Sequence, residues 1–245
     1  MGSLLAAALQ RAQAFLVEPP VPAAPVPVPT AAVPPACSEV QVVVTATSRG
    51  SGATTVARAL AQALVVPGAR AGHLLSLRPA PAGTRAQSGV TAWEVPPALE
   101  DPAEIARYGG TIMRLARGAG AAALVWDVQA DDVPRAAGAI AAADAVVCVA
   151  DGSAEPALCA LVGDMLGERY GVRVLLAANR VRDQDEWSGR CVVALPDSRL
   201  AALRVGRGRP PAGGVGAAVE RLAKILEEDA YVSSPTPGTN RAIHG

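Results

Sequence analysis

The sequence predicts an α/β protein: a doubly wound, mostly parallel sheet flanked by helices, preceded by an N-terminal helix and a Pro-rich linker. Three observations carry this expectation. From residue 40 onward, short apolar runs alternate with stretches of helical periodicity, the order that repeated β-α units produce. The apolar runs are continuous, as in Val42-Val43-Val44 and Val174-Leu175-Leu176. Strands take that form when helices cover both faces of a sheet. Finally, 51% of the 245 residues are hydrophobic but only 3% are aromatic, so a sizeable core must be assembled from Ala, Val and Leu.

Taken in order, residues 3–17 read as a short amphipathic helix within an N-terminal segment 1–18. Leu4, Leu5, Ala8, Leu9, Ala12, Phe15 and Leu16 recur at i, i+3 and i+4 spacing. Eight of the 21 prolines follow between Pro19 and Pro35, which marks 19–39 as an extended linker. At ~3.1 Å per residue it could hold the helix on the order of 50 Å from the main body. The helix has two readings: a tethered anchor for a protein partner or a membrane surface, or a frayed leader. The main domain spans 40–230. Strands are expected at Gln41–Ala46, His73–Leu77, Ala122–Asp127, Ala145–Ala150, Val172–Ala177 and Cys191–Leu195. Helices are expected at Thr54–Leu64, Pro102–Arg117, Val133–Ala143, Pro156–Tyr170 and Val215–Asp229. Right-handed crossovers would join the strands. The polar tail 231–245 is expected to be disordered.

Charge and rare residues exclude several classes. Basic and acidic residues number 22 each, so bulk charge gives no strong nucleic-acid signal. Cys37, Cys148, Cys159 and Cys191 form no CxxC pair and read as buried or incidental thiols of a reducing compartment. His73 and His244 are the only histidines, too few for a three-His metal centre. No apolar run approaches the ~20 residues of a membrane span. The N-terminus has no basic start, and Gln10 and Arg11 interrupt its apolar stretch. A cytoplasmic location is expected, with membrane contact at most peripheral. Lys224 is the only lysine, so any chemistry that needs an ammonium group has one candidate. It lies among Arg221, Glu227 and Glu228, as a solvated helix charge does.

The most informative stretch follows the first strand: Thr47-Ser48-Arg49-Gly50-Ser51-Gly52-Ala53-Thr54-Thr55. A Gly-rich turn between a strand and a helix exposes backbone N–H groups, and with the helix N-terminus it forms an anion nest. Gly50 and Gly52 would let the backbone approach a phosphate. Thr54 stands where a phosphate-loop hydroxyl ligates Mg²⁺ in the pattern G-x-x-x-x-G-K-[ST]. Against that pattern, Thr47 replaces the first glycine and Ala53 the lysine.

Ser48–Leu64, SRGSGATTVARALAQAL, resembles the phosphate loop and first helix of the MinD/ParA family of P-loop proteins. The resemblance extends over about residues 40–228. Ala121–Asp127 (AAALVWD) is similar to the strand ending in the family's Mg²⁺-linked aspartate, which would be Asp127. Ala143–Asp151 (ADAVVCVAD) resembles the next strand. Leu175–Arg182 (LLAANRVR) resembles the strand whose Asn contacts the base, which would be Asn179. Ala194–Pro211 is similar to the Pro-Asp loop and following helix, where Pro196 and Asp197 would border the base. Gly89–Leu99 is similar to the segment after the second strand. The resemblance implies ATP and Mg²⁺ as cofactors, with Ser48, Arg49, Gly50, Ser51, Gly52, Ala53, Thr54, Thr55, Asn179, Pro196 and Asp197 at the nucleotide and Thr54 and Asp127 at the metal. It also implies a homodimer. Read from the residues alone, Asp127 has a second reading as a strand-end turn carboxylate and Asn179 one as a helix or turn cap. Asp151 reads as a cap for the next helix.

The departures cluster on catalysis. Ser48 falls at the family's signature lysine, Ala53 at the second lysine, and Ser76 and Arg78 where a D-x-D pair is expected. Asp127 is followed by Val128-Gln129-Ala130-Asp131 without the usual glycine. Phosphoryl transfer depends on charges at the β/γ oxygens, and removing one preorganised charge costs on the order of 3 kcal/mol. No catalytic residue is therefore assigned. A small residue in place of the second lysine also resembles the CpaE/TadZ branch, implicated in Flp/Tad pilus assembly. Three functions stay open: a nucleotide-binding positioning or scaffold factor with little or no hydrolysis, a slow Mg²⁺-dependent ATPase using Arg49 or a partner's charge, and a nucleotide-free scaffold.

Overall fold

A computed structural model describes residues 40–65, 72–79, 85–87, 89–118 and 123–233, with side chains to residue 228. The expected N-terminal helix, the Pro-rich linker and residues 234–245 lie outside the described residues.

Seven parallel strands form one sheet: β1 (Val40–Ala46), β2 (Gly72–Ser76), β3 (Val90–Glu94), β4 (Ala123–Asp127), β5 (Ala145–Asp151), β6 (Val174–Val181) and β7 (Val193–Pro196), in the spatial order β3-β2-β4-β1-β5-β6-β7. The helices are α1 (Ala53–Ala63), α2 (Pro102–Gly118), α3 (Ala137–Ala141), α4 (Pro156–Tyr170), α5 (Arg199–Gly206) and α6 (Gly213–Ser233). The continuous apolar runs feed both faces. Val42 and Val44 join one core with Leu60, Val219 and Leu222, while Val43 between them joins Leu124, Trp126 and Ile140 in the other. Cys148, Cys159, Leu176 and Trp187 form a third cluster. The class expected from the sequence is the class found.

Several boundaries differ, each for a local reason. The helix expected at Val133–Ala143 is a 3-10 turn at Ala130–Asp132 and the short α3. Pro134 has no N–H to continue a helical ladder. The strand expected at Val172–Ala177 runs as β6 through Asn179 to Val181, with a register shift between Asn179 and Val181. Cys191 is excluded from β7 because its N–H turns back to the Trp187 carbonyl, 3.3 Å away. β3, a strand of half-buried and exposed residues, was not expected, because VTAWE carries no strong apolar run. Its Trp93 Nε1 donates to His73 Nδ1 at 2.9 Å, and the two rings stack. That contact gives His73 a packing role. Cys148, Cys159 and Cys191 are free thiols, and burial pushes Cys148 up to about 12.

Candidate phosphate-binding site

β1 is the central strand at which the order reverses, with β4 on one side and β5 on the other. Ligands in open parallel sheets bind at the carboxyl ends of strands at such a switch point. The turn from β1 to α1 starts where Thr47 N–H donates to Val149 O at 3.0 Å, tying it to β5. Ser51 Oγ donates to Ser48 O at 2.8 Å, and the Ser48 and Ser51 hydroxyls lie 3.0 Å apart. These side chains close the first half of the turn on itself.

The second half is held from outside. Asn179 Nδ2 donates to Ser51 O at 2.8 Å and Arg180 Nη2 donates to Gly50 O at 2.7 Å, so β6 engages two successive loop carbonyls. Gly50 and Gly52 have φ of 79° and 90°, in the left-handed region that an L side chain resists. A Cβ on Gly52 would also collide with the Asn179 amide. The first helical bond of α1 is Val56 N–H to Gly52 O at 3.0 Å, and Gly52 contributes no side-chain cap. The N–H groups of Gly52, Ala53, Thr54 and Thr55 therefore have no acceptor among the described residues. Four such donors at a helix start, with the partial positive charge of its dipole, suit an anion.

Asp127 ends β4 beside this helix. Thr54 Oγ1 donates to Asp127 Oδ1 at 3.2 Å, and Gln129 Nε2 donates to Thr54 Oγ1 at 2.7 Å. Asp127 is only 7% exposed. Burial raises its pKa to about 6, against the lowering pull of the Thr54 hydroxyl and Arg58. A hydroxyl and a carboxylate oxygen this close form the hard-oxygen pair that Mg²⁺ takes when phosphates and water complete its shell. Among the described residues no group of three or more His, Cys, Asp or Glu side chains could hold a metal alone. A cation here would draw its other ligands from phosphate and water.

Beneath Thr54 lies a cavity of about 250 Å³ lined by Thr54, Arg58, Ser76, Arg78, Asp127 and Gln129. Arg78 is bound to Asp132 through Nε (2.5 Å) and Nη2 (3.0 Å), so the second of the expected carboxylate positions instead presents a guanidinium held by an acid from the β4–α3 connection. Arg49 has a side chain 81% exposed and pairs with Asp131, which also lies 4.0 Å from Arg78.

The structure thus brings Ser48, Gly50, Ser51, Gly52, Ala53, Thr54, Thr55, Asp127 and Asn179 together around one turn, with Arg49 at its rim. The reading of Asn179 as a helix or turn cap is corrected: it lies within β6, where ladder bonds occupy the backbone and the amide reaches the loop. Asp151 does not cap the next helix either. Its Oδ1 accepts from Ser153 N (2.9 Å) and Ser153 Oγ (2.7 Å), its Oδ2 pairs with Arg180, and α4 begins only at Pro156. Pro196 ends β7 and Asp197 follows it, farther along the same carboxyl edge, with Asp197 3.6 Å from Arg182. Arg58, Gln129 and Arg180 are the site residues that motif reading missed. Arg58 alone carried a signal, a charge at i+4 from Thr54 in the otherwise uncharged run of ATTVARALAQA.

The sheet order and the turn give this chain an α/β fold of the P-loop NTPase-like class. Within that class the fold is that of the MinD and ParA proteins. The structure is similar to a MinD cell division protein from Aquifex aeolicus (TM-score 0.59, 15% identity, covering 77% of this chain and 97% of that one). It is also similar to a ParA family ATPase from Chlorobium tepidum TLS (TM-score 0.57, 11% identity, 76% and 99%). A third similar structure is the septum site-determining protein MinD complexed with Mg-ADP from Pyrococcus horikoshii OT3 (TM-score 0.54, 13% identity, 79% and 99%). No family model and no curated protein matches the sequence.

Proposed function

We propose that this chain is a nucleotide-binding positioning or scaffold factor of the MinD/ParA fold, with little or no hydrolysis. The observation that carries the reading is the row of amides from Gly52 to Thr55 that have no acceptor among the described residues, beside the Thr54–Asp127 pair, in a loop that has Ala53 where a lysine would stand. Backbone donors hold a phosphate in the ground state. Turnover needs additional charge at the β/γ oxygens. Arg49, the nearest replacement in sequence, is engaged with Asp131 at the surface. Mg²⁺ would be held by Thr54 and Asp127, where it would neutralise phosphate charge. Asn179, Pro196 and Asp197 would border the base.

The MinD structure from Pyrococcus horikoshii holds Mg-ADP, which supports the same ligand class here. We further propose that two copies associate across the loop face and that residues 1–18 recruit a protein partner on the cytoplasmic side. Peripheral contact at a membrane or cell pole would fit a pilus-assembly or septum-site role. Among the described residues no helix is long and apolar enough to cross a membrane.

Titration of a fluorescent ATP analogue with Mg²⁺ tests binding, and phosphate release tests turnover. Saturable binding is expected, with no release above background in the wild type. The comparison variant Ala53→Lys should bind more tightly, by about tenfold for one recovered charge-assisted contact of ~1.4 kcal/mol. Absence of saturation at millimolar nucleotide would favour the nucleotide-free scaffold. Steady release abolished by Asp127→Ala would show an ATPase.

A further inference from the structure

Helix α4 buries little of itself. Cys159 and Gly163 are its buried residues, and they face β6 and the third core cluster. Its apolar residues are not confined to that side. Leu158, Leu161 and Met165 are 62%, 54% and 60% exposed. At i, i+3 and i+7 they stand in one stripe on the outer face. Large apolar side chains exposed one at a time are ordinary, but a row of three on one helix marks a surface that another molecule covers. The two ends of the stripe carry opposite charges. Glu155 immediately precedes the helix, and Arg169 lies in its last turn. Both are exposed, and neither is ion-paired among the described residues. Arg169 lies over the ring of Tyr170 instead, 5.4 Å from its centroid. At about 100° per residue, Glu155 and Arg169 fall on the same flank of the stripe.

We propose that α4 pairs, antiparallel, with α4 of a second copy of this chain, about a two-fold axis passing near Leu161. The helix is self-complementary under that rotation. Leu158 and Met165, and likewise Glu155 and Arg169, are centred within one residue of Leu161. The rotation therefore sets Leu158 of one copy against Met165 of the other, with the two Leu161 side chains together at the axis. In an antiparallel pair about a two-fold axis like flanks face each other, so Glu155 of each copy comes opposite Arg169 of the other. Two exposed charges without partners each gain one, at a rim where they fix register more than they supply affinity. Glu168, on the other flank, comes beside the start of the second α4, where the partial positive charge of the helix dipole suits an acid. Three large apolar side chains per copy cover much less than the ~800 Å² that each partner gives to a standard interface. The pairing is therefore weak and concentration-dependent, with a dissociation constant of about 10 µM to 1 mM. It uses none of the residues around the β1–α1 turn, so it does not rest on the loop-face association proposed above. Two separate two-fold contacts on one chain would join copies into longer assemblies.

The test is sedimentation velocity on the full chain, in EDTA and without nucleotide, from ~1 µM to ~500 µM. A monomer–dimer equilibrium is expected. Leu161→Asp sets two like charges together at the axis and should weaken association by about tenfold or more. Either single reversal, Glu155→Arg or Arg169→Glu, opposes like charges across the pair and should weaken it by about threefold or more. The double reversal should restore association to within about twofold of the wild type. All these side chains are exposed, so circular dichroism should show the fold retained in each variant. A wild type that stays monomeric throughout would overturn the proposal. So would a dimer that Leu161→Asp leaves intact, since another surface would then hold it, or a double reversal that associates no better than either single variant. Adding Mg²⁺ and a non-hydrolysable ATP analogue separates this inference from the loop-face association. Species larger than a dimer would uphold both contacts, and a dimer that grows no larger would uphold the α4 contact and count against the other alone.

Discussion

Asp127→Asn should stabilise the metal-free protein, and more so as pH rises. Asp127 faces Thr54 and Arg58 from α1, Gln129 from its own strand end, and Asp132 from the turn that follows. Burial raises its folded pKa from 3.8 to about 6, and the negative field of Asp132 adds to that. A folded pKa above the unfolded value means that the native state holds the proton more tightly. The carboxyl group therefore imposes no penalty below about pH 4, and it destabilises progressively as pH rises through the interval up to about 6. With 1.36 kcal/mol per unit, the penalty is about 1 kcal/mol near pH 4.5 and about 3 kcal/mol near pH 7.5. Asparagine keeps an oxygen for the Thr54 hydroxyl but never ionises. The stability difference between Asp127→Asn and wild type should therefore widen by about 2 kcal/mol between those pH values, or about 4–8 °C in Tm for a domain of this size. Thermal melts in EDTA, run as matched pairs at each pH, measure it. The pairing cancels every titrating group that is not coupled to Asp127. A difference that stays flat, or that narrows with rising pH, would refute the claim that burial dominates at Asp127.

Two adjacent glycines on α2 should respond in opposite directions. A Cβ on Gly109 would enter the ring of the fully buried Trp126, while one on Gly110 meets nothing within 4 Å. In Gly109→Ala, overpacking of about 1–3 kcal/mol outweighs the gain of up to about 1 kcal/mol in helix propensity. Gly110→Ala keeps only that gain, so chemical denaturation should place the two variants on opposite sides of the wild type. Gly52→Ala should lose about 2–3 kcal/mol, from the left-handed φ and the displaced Asn179 bond. In an Asn179→Ala background only the backbone part of about 1–2 kcal/mol should remain, which a double-mutant cycle by urea unfolding measures.

The sequence by itself determined the layers and pointed to the turn that forms the candidate site. Continuous Val and Leu runs in β1, β5 and β6 require cover on both faces. A strand followed at once by RGSGATT reads as a turn into a helix whose first amides stand open. Those are local properties, written in residues next to one another. What became of each charge was decided by tertiary structure alone. Arg58 and Asp127 are 69 positions apart in the chain, and only the pairing of β1 with β4 places α1 over the end of β4. Asp132 captures Arg78 and β6 pins the loop through Asn179 and Arg180, across separations that no motif spans. Burial, which sets the proton affinity of Asp127, exists only once both faces of the sheet are packed.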